Sequence, residues 1–390
     1  MQFGELRMTT SRRDFLRIGG LSAMVGSAGI LHPADRTPVG GEIKRLRFPG
    51  PLRLGDVIGI TSPSAGVKPA LRPRMQFAYQ TLYRLGYGYR EGQCLWGKSL
   101  LSAPAAQRAK ELMRMLLDDS IGAVFPPNGG ELLIDMLPFI DFDVLARAQP
   151  KWILGYSDMS TFMLPYTLKT GIATLSGTNL WECPIRPTDP NLAYWDDVVR
   201  LSPGSGFEQH AATRFQNHDS DWAKLPPDIT HFRRRTQVRW QCLHQEDNPG
   251  HAVSVSGRLI GGTLDVIGPL AGSGYADLRR FAQEYAPEGL LIFIDNCDFN
   301  TAQYCRGLHQ LRLAGWFESA NAILIGRTSA KTIERFTQRD ALLDALGHLD
   351  IPVFYDLDIG HLPPQMILVN GALATLTFAG EQKSLVQTLS

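Results

Sequence analysis

The residues best placed to do chemistry lie in Lys151-Trp152-Ile153-Leu154-Gly155-Tyr156-Ser157-Asp158-Met159-Ser160. Trp152 to Leu154 read as a short buried strand that Gly155 ends, and Ser160 to Leu168 read as a helix. A serine at such a sharp strand-to-helix turn presents its hydroxyl, and the helix N-terminus turns backbone N–H groups toward developing negative charge. The pattern is Gly-x-Ser-x-x-Ser, short of the full Gly-x-Ser-x-Gly elbow, and a serine ahead of a helix also serves as an N-cap. Amide hydrolysis by serine needs a base to take the hydroxyl proton and an anion to orient that base. Asp295, at the end of the apolar run Gly289 to Ile294, and His361, after Asp356-Leu357-Asp358-Ile359-Gly360, offer those groups at a strand end and in a loop. Asp358 is a fallback orienter. Each residue has a plainer use: His361 bonding a backbone carbonyl, Asp295 capping a turn or pairing with Arg327.

The elements that must position these groups follow an α/β rhythm. Asp56 to Thr61 reads as a strand, 74–85 as a helix, Ala105 to Leu117 as an amphipathic helix with Ser102 as its N-cap, and Ile121 to Phe125 as the next strand. Strand, helix, strand implies parallel βαβ units and a Rossmann-like layered domain. The loop Pro126-Pro127-Asn128-Gly129-Gly130 then falls at a strand C-terminus, the edge where open α/β sheets bind ligands. From 184 to 250 the regularity fails; Trp222, Arg233 to Arg235, Trp240 and His244 lie in this stretch. It reads as an excursion over the cleft, with the arginines a solvated loop. From Val253 strands and helices alternate again, at Ser256 to Gly262, Leu264 to Leu270, Gly289 to Ile294, Gln303 to Ala314, Ala322 to Ile325 and Arg339 to Leu346, with β-like sequence from Leu368. The expected organisation is a Rossmann-like domain over 51–205, an inter-domain excursion over 206–252 and a smaller α/β domain over 253–390, with the active site between the domains.

At 390 residues the chain is long enough for two domains. Its 44% apolar and 20% charged content are ordinary, and a net charge of +1 gives no bulk attraction to nucleic acid. Cys94, Cys183, Cys242, Cys297 and Cys305 are odd in number and scattered, against a disulfide framework or structural zinc. Cys297 reads as a packing residue. The nine histidines lack a ligand spacing such as His-Glu-x-x-His, and no Gly-x-Gly-x-x-Gly follows the first strand, so neither a metal nor a dinucleotide cofactor is expected.

Ser11-Arg12-Arg13-Asp14-Phe15-Leu16-Arg17 precedes the small, apolar run Ile18 to Leu31. This is the form of an export signal, and the paired arginines resemble the twin-arginine type. The run of 14 is short for a bilayer span, so no stable membrane insertion is expected after signal removal. The expected assignments are a signal over 1–35, a linker over 36–50 and a periplasmic address. The twin-arginine route carries folded proteins, which suits cysteines that need no oxidation.

An ordered series runs through the chain: Asn128-Gly129-Gly130, Leu137-Pro138-Phe139-Ile140-Asp141-Phe142-Asp143, Pro150-Lys151, Gly155-Tyr156-Ser157-Asp158, Gly261-Gly262-Thr263-Leu264, Leu291-Ile292-Phe293-Ile294-Asp295, Ile325-Gly326-Arg327 and Gly360-His361. Over residues 50–385 it resembles the LD-carboxypeptidases, serine peptidases with a Ser-Glu-His triad that include murein tetrapeptide carboxypeptidases and microcin C immunity peptidases. The resemblance implies Ser157 as nucleophile, His361 as general base, Asp295 where the family has Glu, and an oxyanion hole from the Gly130 and Asp158 N–H groups. An aspartate is one methylene shorter, so the backbone must come closer. Glu131-Leu132-Leu133 departs from the small residue and Ser that relatives carry, and Ser176-Gly177-Thr178 stands where they have His-Gly-Pro. The implied activity removes the terminal D-Ala of a murein tetrapeptide without a cofactor, and relatives imply a homodimer. Two rivals remain open. One is a peptidyl-nucleotide or other acyl-amide hydrolase, with Trp222 or Trp240 stacking on a base; the other is a binding module with impaired hydrolysis.

Overall fold

The computed structural model describes residues 43–97, 99–186, 189–218, 220–243 and 252–390. The expected signal over 1–35 and residues 36–42 of the expected linker lie outside them. In chain order the strands are Val57–Ile60 (β1), Gly88–Glu91 (β2), Ala123–Val124 (β3), Trp152–Gly155 (β4), Thr174–Ser176 (β5), Gly206–His210 (β6), Arg214–Phe215 (β7), Thr236–Gln237 (β8), Gln241–Cys242 (β9), Val253–Thr263 (β10), Leu290–Asp295 (β11), Ala320–Gly326 (β12), Val353–Leu357 (β13), Leu368–Asn370 (β14), Leu373–Ala379 (β15) and Gln382–Thr388 (β16). They build two mixed sheets. The first has the order β14-β5-β4-β3-β1-β2, and the second β6-β16-β15-β10-β11-β12-β13-β9. Both are parallel at their centres, through β5-β4-β3-β1-β2 and β10-β11-β12-β13, with antiparallel strands at the flanks.

Every residue of β4 and of β11 is buried, as a continuous apolar run covered on both faces requires. Both strands end at the edge where the candidate residues lie. The helix after Ser157, Ser160–Thr170 (α1), buries ten of its eleven residues. Buried on nearly every side, it packs against β10 and so joins the two sheets. Gly262 of β10 permits this approach: a Cβ there would lie 2.6 Å from the Ser160 Cβ. The Ser160 hydroxyl accepts the Thr263 N–H at 3.3 Å across the same seam.

Three expectations change. The described part of 206–252 holds short strands within its irregular run: β6 and β9 are the two edges of the second sheet, and β7 pairs with β8, while 219 and 244–251, His244 included, lie outside the described residues. Two-residue strands carry no readable alternation, which is why the sequence hides them. β14, expected in the C-terminal domain, joins the first sheet by pairing with β5, so the chain after 253 contributes to both sheets, and the second sheet is the wider. The helix Ala105–Leu117 (α2) is capped by Pro104, while the Ser102 hydroxyl donates to the Ser62 carbonyl at 2.7 Å.

Candidate active site

Within the run 151–160 every residue is buried except Ser157, which is half-exposed. Its backbone takes φ +62°, one of three described non-glycine residues at positive φ. Left-handed backbone costs an L-residue about 1–2 kcal/mol and persists where the surroundings impose it, commonly at functional sites. The turn Ser157–Met159 is a single 3-10 turn that runs into α1, and neither is capped by a side chain. The N-cap alternative for Ser157 therefore falls away. Gly129 lies against this turn: a Cβ at that position would sit 2.9 Å from both the Ser157 Cβ and the Asp158 nitrogen. Only glycine lets the 128–130 backbone come this close.

The second sheet and the loop after β13 supply the candidate pair Asp295 and His361. His361 Nδ1 meets Asp295 Oδ2 at 2.8 Å, and Asp295 Oδ1 accepts the Thr263 hydroxyl at 2.8 Å. Both side chains are largely buried, at 11% and 5% exposure. The shorter aspartate thus reaches the imidazole, and Gly360 explains how: a Cβ there would fall 2.5 Å from the Asp295 Cβ. Burial disfavours the imidazolium, but the hydrogen bond and charge of Asp295, with the adjoining Cys297, outweigh it and hold the His361 pKa well above its ordinary value. The loop after Asp295 is fixed by Asp265, whose carboxylate accepts the N–H groups of Cys297, Asp298 and Phe299, each at 2.9 Å. Cys297, expected only to pack, borders the imidazole, and burial raises its thiol pKa.

Tyr156 joins the two halves. Its ring lies 4.9 Å from the His361 ring, so the imidazole stands beside the residue that precedes Ser157. Its hydroxyl donates to the buried Glu182 carboxylate at 2.7 Å. The structure thus brings Gly130, Ser157, Asp158, Asp295 and His361 to one edge shared by the two sheets. Tyr156, Thr263 and Asp265 were not singled out from the sequence. Thr263 stands in the Gly-Gly-Thr run, but nothing local tells that its hydroxyl turns to Asp295.

Asp358 is no orienter of His361. Its oxygens take Arg327 at 2.5 Å, the Trp240 indole N–H at 2.7 Å and the Ala212 N–H at 3.0 Å. Arg327 is therefore the partner of Asp358 and not of Asp295. Trp240 is buried and engaged there, which removes it as a stacking platform. Trp222 stacks with Trp181 at 5.9 Å, under the Arg74 guanidinium. In the arginine run, Arg233 and Arg235 are exposed, while Arg234 pairs with the buried Asp189 at 3.2 Å.

Among the described residues one group has metal-ligand character: Cys305, His309 and Asp344, outside the site. His309 Nε2 meets Asp344 at 2.7 Å, while Arg312 approaches its Nδ1 at 3.2 Å. An arginine can only donate, so Nδ1 accepts and Nε2 carries the proton, the reverse of what a metal on Nε2 needs. Burial and Asp344 push the Cys305 thiol up to about 11.

Family models match this chain twice: the LD-carboxypeptidase N-terminal domain over residues 58–177 and the LD-carboxypeptidase C-terminal domain over 256–376. The chain belongs to the LD-carboxypeptidase family. The microcin C7 self-immunity protein of Escherichia coli is 25% identical over 86% of this chain and 95% of its own length. Its wild-type structure superposes with a TM-score of 0.73 at 21% identity, over 87% of this chain and 98% of that one. The Bacillus subtilis protein named "probable murein peptide carboxypeptidase" is 25% identical over 85% of this chain and 92% of its length. The muramoyltetrapeptide carboxypeptidase structure from Oxalobacter formigenes gives a TM-score of 0.62 at 20% identity, over 85% and 98% of the two chains. Membership makes this LD-carboxypeptidase-family chain a hydrolase of the serine carboxypeptidase type.

Proposed function

We propose that the protein hydrolyses the amide bond from an L-centre to the terminal D-Ala of a murein tetrapeptide, with Ser157, His361 and Asp295 as its triad. The observation that carries the reading is the 2.8 Å Asp295–His361 pair set beside the strained Ser157 turn through Tyr156. His361 Nε2, the nitrogen not engaged by Asp295, takes the Ser157 proton as Oγ attacks the carbonyl carbon. The carbonyl oxygen becomes an oxyanion held by the Gly130 and Asp158 N–H groups, each such donor contributing about 3 kcal/mol to the transition state. The imidazolium, stabilised by Asp295, protonates the D-Ala nitrogen as the C–N bond breaks and leaves an acyl-serine. Water, deprotonated by the same imidazole, then releases the acid.

Kinship with murein peptide carboxypeptidases supports this choice of substrate. Incubation with murein tetrapeptide tests it: the protein releases D-Ala and Ser157→Ala does not. No release by the wild type would reject this substrate. A peptidyl-nucleotide is the second reading, supported by the likeness to the microcin C7 self-immunity protein and by the Trp181–Trp222 stack; hydrolysis of an aminoacyl-nucleotide amide in place of tetrapeptide would select it. The reading places the enzyme in the periplasm as a homodimer, exported by the twin-arginine route. Replacing Arg12 and Arg13 by Lys should hold it in the cytoplasm, and unchanged export would refute that route.

A further inference from the structure

The side chain of Asp158, the residue after the nucleophile, is 1% exposed and has no part in the chemistry above. Its Oδ2 accepts the Ser64 hydroxyl at 2.5 Å and the Leu133 N–H at 2.9 Å, and its Oδ1 accepts the Thr161 hydroxyl at 3.0 Å. These partners come from the loop after β1, the turn after Gly130, and α1. A second tie closes the same ring from outside. The buried Arg108 of α2 donates to the Pro63 carbonyl at 2.6 Å and to both oxygens of Asp135 at 2.7 and 2.8 Å. Pro63 precedes Ser64, and Asp135 shares a 3-10 turn with Leu133. The path Arg108–Pro63–Ser64–Asp158–Leu133–Asp135–Arg108 therefore returns on itself. Gly130 is clamped beside it: a Cβ there would come within 2.7 Å of the Ala65 nitrogen, and its φ of +153° suits glycine alone.

We infer that the Asp158 carboxylate is a positioning residue for the oxyanion hole, locking the Gly130 backbone and its own N–H at one separation through Ser64, Leu133 and Thr161. The inference rests on the triad reading. An unlocked hole would still bind substrate, whose neutral carbonyl asks little of it, but would lose contacts that strengthen as charge develops.

The test compares Asp158→Ala, Asp158→Asn and Ser64→Ala with the wild type, taking kcat and KM for D-Ala release and the thermal midpoint of each. Asparagine can place its carbonyl at the Oδ2 position, where it still accepts from Ser64 and Leu133, and turn its NH2 toward Thr161, whose hydroxyl can accept as well as donate. Asp158→Asn should therefore keep kcat within about tenfold, while Asp158→Ala should lose about 10²–10³-fold in kcat with KM nearly unchanged. Ser64→Ala should lose kcat in the same sense and more mildly, which keeps the test open if Asp158→Ala fails to fold. A rise in KM at constant kcat, an Asn variant as poor as Ala, or a Ser64→Ala enzyme with unaltered kcat would overturn the inference. Absence of D-Ala release by the wild type would instead strike the proposed substrate on which the assay rests, and the same comparison would then be read with the nucleotide amide, so the two failures are separable.

Discussion

The two halves of the site are held in opposite ways. The side proposed to carry the nucleophile is over-determined: strained Ser157 sits between a fully buried strand and a helix buried at ten of its eleven residues, with Asp158 tied to three segments. The side proposed for acid–base work has one carboxylate on the imidazole, across 66 positions, in the 2.8 Å Asp295–His361 pair, with Thr263 behind it. A nucleophile must be fixed against backbone strain, whereas a base must change its proton state during each turnover. A single charged partner suits the second task, because it stabilises the imidazolium without caging the ring.

The contrast breaks most severely at Asp295. Asp295→Asn should leave the fold intact and lower kcat by about 10⁴-fold, the scale of losing the orienting anion in a serine triad. It should also lower the midpoint of the pH–rate profile, because the anion that raises the His361 pKa is gone. In the wild type the rate should climb with pH through a midpoint above 6.5, since the base acts only when neutral. The linkage to stability runs the other way. A pKa raised by folding stabilises fully below the unfolded value and is lost as pH rises through the folded one. Thermal midpoints of the wild type minus those of Asp295→Asn, followed across pH, should shrink toward alkaline pH; a difference growing with pH would contradict the pairing.

A smaller effect is expected at Gly360, whose φ of +94° and contact with Asp295 leave no room for a side chain. Gly360→Ala should cost about 1–3 kcal/mol in chemical denaturation by overpacking and left-handed strain, and should lower kcat by shifting the Asp295–His361 pair. Unchanged stability would mean that the loop gives way freely.

The same contrast governs what the sequence disclosed. The Ser157 turn was readable because its cause is local, an apolar strand, a glycine and a helix start within ten residues. Asp295 and His361 were readable only as members of an ordered set, and their rival partners, Arg327 and Asp358, proved to be paired with each other. The Ser64–Asp158 hydrogen bond spans 94 positions and leaves no local pattern. Trp240 looked like a loop aromatic because β9 is only two residues long, too short to mark the buried edge beside it.

The measurement that tests the account most directly is peptide mapping after treatment with a serine-directed fluorophosphonate. The account predicts one covalent adduct on Ser157 in the wild type, formed far more slowly in His361→Ala. Labelling of a different serine, or equal labelling rates in the two proteins, would contradict a triad built on Ser157 and His361.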